Sequence, residues 1–336
     1  MKKIIGFISL LTLWSMLLVG CGSNDTEVSG ESNEKVYTLK MSTQQADTAP
    51  IVKGFNTLAE RLKEKSDGRL VMEVYPSAQL GSDDDVIEQA EQGVNVALLT
   101  DGSRMGVYVE EMGILGAPYL IDNYDEALKI TQTDLFQSWT DKLASEHGVR
   151  VLSFNWYDGP RHFLTNEPIE KPEDLDGLRV RTPGSPVWQE SIKAMGATPI
   201  AMPWNEVYTS IQQGAIDGAE AQHTSSYPSR IYEVIDYVNK TGHFQLINGI
   251  VVGEQWFNTL PEDLQTLLLE ESKAVAEENA REIENMQQEF EEKMIEEGMK
   301  VVESDVDAFK EAAMQAYEEL DLTDLRDEVY EAIGKE

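Results

Sequence analysis

Leu175-Asp176-Gly177-Leu178-Arg179-Val180-Arg181-Thr182-Pro183 is the stretch on which the reading of this chain turns. From Leu178 to Arg181 apolar and basic residues alternate as on a half-buried strand. Thr182-Pro183 ends it, because a residue before proline is held extended and proline has no N–H to give a ladder. Arg181 is therefore expected at the carboxyl end of a strand. Ser185 and Pro186 follow as the N-cap and first position of a helix, which aims free backbone N–H groups at the same place. Ligands of open α/β sheets bind in the crevice beyond the strand ends, so the segment predicts an anion site. Arg179 shares the strand face by parity, and spacing alone does not separate the two arginines.

Outward from this block, helical and extended patterns alternate through most of the chain, which predicts an α/β protein. Its 336 residues suit two lobes. Helical spacing of Ile51, Phe55, Leu58 and Leu62 leads through Asp67-Gly68 into a strand over 70–75. A second helix and strand are expected over 82–93 and 94–99, a long helix over 123–146, and a strand over 149–154. After Trp156-Tyr157-Asp158-Gly159-Pro160 the pattern restarts, which places a lobe crossover there. Several extended stretches over 234–252 return the chain to the first lobe, with Gly242, Gly249 and Gly253 suited to bends. Residues 261–297 read as one very long helix whose apolar positions keep no heptad, which argues against a coiled coil.

Lys2 and Lys3 precede an apolar run from Ile4 to Gly20, and Leu18-Val19-Gly20-Cys21 has the pattern of a bacterial lipoprotein cleavage site. Residues 1–20 are thus expected to be a signal peptide, Cys21 a lipid attachment point, and 21–35 a solvated tether. The chain's one cysteine is accounted for in this way. A net charge of −34, more negative still once Lys2 and Lys3 are lost, excludes nucleic acid as a partner. It also means that any carboxylate site must gather positive charge locally. Asp83-Asp84-Asp85 follows Ser82 at a helix start, where acids favour the dipole; a calcium loop would need further spaced ligands.

The block around Arg181 resembles the solute-binding (DctP-type) subunit of tripartite ATP-independent periplasmic (TRAP) transporters. Four segments agree in order and spacing: the strand 175–183; Met195-Gly196-Ala197-Thr198-Pro199; Met202-Pro203-Trp204-Asn205-Glu206-Val207-Tyr208; and Gln213-Gly214-Ala215-Ile216-Asp217-Gly218-Ala219-Glu220. Gly68-Arg69, Gln79-Leu80-Gly81 and Ala117-Pro118-Tyr119-Leu120 extend the likeness to residues 36–320. The resemblance implies a two-lobed, periplasmic-binding-protein-like α/β fold with a long helix spanning both lobes. Lobe one would hold 36–157 and about 245–285, and lobe two 158–244 and about 286–336. It implies capture of an organic acid, a C4-dicarboxylate or a sugar acid, at the outer face of the cytoplasmic membrane. Delivery would be to two integral membrane permease subunits, with no chemistry on the ligand and no cofactor.

By resemblance, Arg181 forms the two-point salt bridge to the ligand carboxylate, Arg161 is the second cation, and Glu220 bonds a ligand hydroxyl or, in a keto-acid-binding subset, helps hold a metal ion. A guanidinium fork matches a carboxylate bidentately where lysine offers only a point charge. Ala221 stands where an asparagine is frequent in the family, with Gln222 and His223 as neighbours able to compensate. Trp204 and Tyr157 are expected as cleft walls. From the first lobe, Gln44, Gln45 and Thr100 to Ser103 are placed at strand ends to offer polar contacts. No phosphate loop, dinucleotide turn, nucleophile elbow or zinc helix occurs, and His147, His162, His223 and His243 lack a second ligand at metal spacing. The sequence thus favours a binding protein over an enzyme. A ligand-sensing ectodomain with the same fold is the first alternative, and a secreted hydrolase the second.

Overall fold

The computed structural model describes residues 35–335, so the expected signal peptide and Cys21 lie outside the described residues. Nine strands form one sheet: β1 (Tyr37–Ser42), β2 (Leu70–Tyr75), β3 (Val96–Asp101), β4 (Val149–Thr165), β5 (Arg179–Thr182), β6 (Thr198–Ala201), β7 (Gly218–Gln222), β8 (Tyr237–Gly253) and β9 (Lys300–Val302). Their order is β2-β1-β3-β8-β4-β7-β5-β6, with β9 added to β8. β1 to β3 are mutually parallel, as are β7, β5 and β6, and the two groups are joined by the antiparallel pair β4 and β8.

That pair departs from the sequence expectation. The strand expected to stop at Phe154 runs 17 residues to Thr165, and the stretches over 234–252 are one 17-residue strand. The two stay paired from Val149 opposite Gly253 to Thr165 opposite Tyr237, with four register shifts. Three of the shifts place one extra residue on β4 and the last places three on β8, which bends the ladder without breaking it. Gly159, at φ 103°, supplies a backbone conformation that a side chain resists. The crossover is thus a bent ribbon, and the turn-like Asp158-Gly159-Pro160 lies inside it.

On either side lie separate apolar cores. Leu39, Phe55, Leu98, Val149 and Trp156 belong to the first; Phe163, Val180 and Ile192 to a second; Ala219, Ile231 and Val238 to a third. Each fully buried Leu, Ile or Phe contributes about 1.5–3 kcal/mol. Glu262–Glu296 is the expected long helix, with 35 residues. Leu264, Leu268, Val275, Ala280 and Ile283 sit in the first core and Met294 in the third, so its apolar face serves both lobes. Two details differ from expectation. The helix expected over 123–146 is two, Tyr124–Thr131 and Asp134–His147, because Thr133 leaves helical geometry and its side chain accepts the Phe136 N–H as a new N-cap. Near the C-terminus, Phe309 and Ala313 pack in the second core, but Leu322, Val329 and Ile333 join the first, so the last helix returns to the lobe that the expected 286–336 assignment gave up. Among the described residues no helix is long and apolar enough to cross a membrane.

Candidate functional site

Strand ends from both sides of the ribbon converge on one cavity, and Arg181 lines it. β5 is buried at its carboxyl end, and Arg181 is only 4% exposed there. Its Nε donates to the Met202 carbonyl at 2.9 Å and its guanidinium lies 5.3 Å from the centre of the Trp204 ring. Among the described residues no carboxylate forms an ion pair with it. Burial pulls this guanidinium below the usual arginine range; Glu220 offsets that only in part, and Arg161 and Arg104 add to it. A bound anion would relieve that cost. The same strand disposes of Arg179 differently. Its Nε and Nη2 each meet the Asp217 carboxylate at 2.8 Å and Nη2 donates to the Gly214 carbonyl, outside the cavity. The helix after β5 begins as expected, with Ser185 accepting the Trp188 N–H and Pro186 in its first turn.

Arg161, buried on β4, also lines the cavity, but its charge is already balanced. Its Nε is ion-paired with Glu220, Nη2 donates to the Glu220 carbonyl at 2.6 Å, and Nη1 donates to Gln222 Oε1 at 2.9 Å. The ring of Trp188 lies 4.5 Å from the guanidinium. Glu220 does not line the cavity. Its second oxygen accepts from Thr182 Oγ1 at 3.1 Å, and although burial alone would raise its carboxyl, Arg161 with His243 holds it below the usual range. Glu220, expected as a ligand contact, thus lies behind Arg161 rather than on the cavity wall. Strand alternation explains the neighbouring positions: Gln222 faces the cavity, whereas Ala221 packs in the third core. His223 is turned away towards Glu291, 3.4 Å from its Nε2.

From the other lobe come Gln44 and Gln45 after β1, Thr100 and Asp101 at the end of β3, and Arg104 in the short helix Gly102–Met105. Gln44 Oε1 accepts the Trp204 N–H at 2.7 Å, and Gln45 Oε1 accepts from Ser225 Oγ at 2.7 Å, so both glutamines bridge the cleft. Sequence reasoning missed Arg104. The available signal was its place three residues beyond the end of a strand, next to polar positions already singled out. It also read Asp83 only as a helix-start acid. Ser82 and Asp85 do make the reciprocal cap, yet Asp83 is turned into the cavity, where it pairs with Arg104 at 3.5 Å. Burial pushes its carboxyl up to about 6, against the pull of Arg104 and Gln44.

Of the two expected aromatic walls, Trp204 lines the cavity and Tyr157 does not. Tyr157 is packed against Tyr124 in the first core and its hydroxyl donates to Gln245 Oε1 at 2.7 Å. Trp188 lines the cavity as well, and among the described residues its buried Nε1 and the Thr100 hydroxyl have no hydrogen-bond partner. Among the described residues no group of His, Cys, Asp and Glu gathers to hold a metal ion.

Comparison with known proteins agrees with this architecture. The profile of the DctP family, described as bacterial extracellular solute-binding protein, family 7, matches residues 41–322. The sialic acid-binding periplasmic protein SiaP of Vibrio cholerae is 27% identical over 284 residues, 84% of this chain and 88% of that protein. The C4-dicarboxylate-binding periplasmic protein DctP of Rhodobacter capsulatus is 28% identical over 261 residues, 77% of each chain. A TRAP periplasmic solute-binding protein from Ochrobacterium anthropi, crystallised with bound L-fuconate, superposes with a TM-score of 0.86 at 29% identity, covering 89% of this chain and 99% of that one. With the profile spanning most of its length, this chain belongs to family 7 of the bacterial extracellular solute-binding proteins, the DctP-type solute-binding subunits of TRAP transporters.

Proposed function

We propose that this protein captures an organic acid, a C4-dicarboxylate or a sugar acid, by its carboxylate on Arg181 and hands it to the two membrane subunits of a TRAP permease. The observation that carries this is a buried guanidinium with one backbone acceptor and, among the described residues, no paired carboxylate, at the end of β5 and between the two lobes. Relatives named for sialic acid and C4-dicarboxylates, and a structural neighbour holding L-fuconate, are consistent with a carboxylate ligand. Arg161, already balanced by Glu220, stands beside Arg181, with Trp204 as one wall and Gln44 as a contact from the opposite lobe. The ligand leaves chemically unchanged, so no catalytic group is required. Anchoring is assigned to lipid on Cys21, which keeps the protein at the outer face of the cytoplasmic membrane; a single acyl signal binds marginally, whereas the diacyl anchor of a lipoprotein holds firmly.

Isothermal calorimetry with a panel of organic acids tests the clamp. Arg181→Ala and Arg181→Lys should both remain folded and bind the best ligand at least tenfold more weakly, with lysine restoring only part of the loss, because spoiling a charge-assisted fork costs about 1.5–3 kcal/mol. Wild-type affinity in Arg181→Lys would remove Arg181 from the clamp.

A further inference from the structure

Among the described residues the first-lobe wall of the cavity carries more acid than base. Arg104, among the described residues the one arginine this lobe sends into the cavity, lies between two aspartates: Asp83 at 3.5 Å and Asp84, which is hydrogen-bonded to Nη1. Asp101 accepts the Arg104 backbone N–H through Oδ1 and also lines the cavity. Around these acids stand Gln44, Thr100 and Asn248; Thr100 is 3% exposed, and its buried hydroxyl has no hydrogen-bond partner among the described residues. On the opposite wall Arg161 is balanced by Glu220, which leaves Arg181, among the described lining residues, as the cation free to receive an anion.

From this distribution we infer that the site takes a polyhydroxy monocarboxylate, an aldonate- or uronate-like sugar acid, and that Asp83 and Asp101 are the residues that set this choice against dicarboxylates. The inference rests on the reading that Arg181 holds a carboxylate, and it deepens that reading by naming the ligand class. A hydroxyl is both donor and acceptor, so it satisfies an aspartate oxygen and the Thr100 hydroxyl or Asn248 amide together. A second carboxylate is acceptor only. Placed at this wall it would face two aspartates with no unpaired cation to receive it, and like charges brought together in a water-poor cleft are strongly disfavoured. Specificity arises here through repulsion of the wrong partner as much as through attraction of the right one.

Calorimetry on the full-length protein in detergent, with D-galacturonate and L-galactonate set against D-galactarate and succinate, separates the two classes. Galactarate keeps the C2–C5 hydroxyls of the sugar acids and carries a second carboxylate in place of their terminal alcohol or aldehyde. At least one monocarboxylate should bind tenfold or more tightly than galactarate and succinate. Asp83→Asn, which frees Arg104 from its cavity-facing counter-ion, should narrow that ratio at least fivefold, and Asp101→Asn, which keeps the helix cap, should narrow it to a smaller degree. Thermal unfolding of both variants verifies that they fold. Succinate or galactarate binding as tightly as the better monocarboxylate in the wild type, or a ratio unmoved by Asp83→Asn in a folded protein, overturns the inference and leaves the Arg181 reading standing. Absence of binding by every acid in the panel, or binding unaltered by Arg181→Ala, overturns both.

Discussion

The Gln44 side-chain carbonyl accepts the Trp204 backbone N–H at 2.7 Å across 160 positions of sequence, and so ties the end of β1 to the segment that walls Arg181. Trp204 is thereby fixed from both lobes, since its Nε1 also donates to Ser229 Oγ at 2.9 Å. Gln44→Ala should leave the fold intact and weaken ligand binding by about 0.5–1.5 kcal/mol, the net worth of one hydrogen bond, with the loss expressed in the dissociation rate. Stopped-flow and calorimetric measurements on the same ligand would check both parts. Faster association with unchanged dissociation would contradict the bridge as a closing contact.

Glu220→Gln addresses the pair behind the site. The carboxylate oxygens of Glu220 meet Arg161 and the Thr182 hydroxyl, and His243 Nε2 lies 3.9 Å away. Glutamine keeps the shape and leaves a buried arginine without its counter-charge, a change that costs about 3–5 kcal/mol when a buried pair is broken. Chemical denaturation should register that loss, and added ligand should recover part of it, because its carboxylate brings charge back beside Arg161. Stability within about 0.5 kcal/mol of the wild type would show that Arg161 does not depend on Glu220.

Asp158 supplies a pH signature. It is buried in the ribbon, accepting from Gln222 and, at 2.8 Å, from Thr224 Oγ1, and burial pushes its carboxyl up to about 6 despite those bonds and Arg161. The folded state therefore holds a proton that the unfolded chain has already lost between about pH 4 and 6, so this residue's contribution falls as pH rises through that window. Relative to Asp158→Asn, the wild type should gain up to about 3 kcal/mol on going from pH 7 to pH 4. Urea unfolding of both proteins at a series of pH values measures the difference. A flat difference, or one of opposite sign, would mean that Asp158 is not strained by burial.

What could be read from the sequence was local. Arg181 at a strand end, the Ser185 cap, the Ser82 start and the 35-residue helix each follow from a few neighbouring residues, and the structure places them as expected. What was misread required pairing across the chain. Tyr157 beside Trp156 looks like a wall, but the β4–β8 register turns it into the first core; Asp158-Gly159-Pro160 looks like a turn, but a partner strand holds it extended. Arg104 has no local pattern at all. Its role comes from Asp83, 21 positions earlier, reaching it across two elements.

Trp156 is fully buried in the first core, its Nε1 donating to Ser153 Oγ at 2.9 Å and its ring 4.8 Å from Phe55, so it is insulated from the cleft. Trp188 and Trp204 line the cavity beside Arg161 and Arg181. Ligand that touches both lobes favours the closed arrangement by its differential affinity, and an acid too short to reach Gln44 and Thr100 gains no such advantage. Small-angle scattering should therefore give a smaller radius of gyration with a ligand that spans the cleft. Tryptophan emission should shift over the same concentration range, lose most of the shift in Trp204→Phe, and keep it in Trp156→Phe. An emission change that follows Trp156 alone, with an unchanged radius, would place the ligand-driven rearrangement inside the first lobe and refute closure over Arg181.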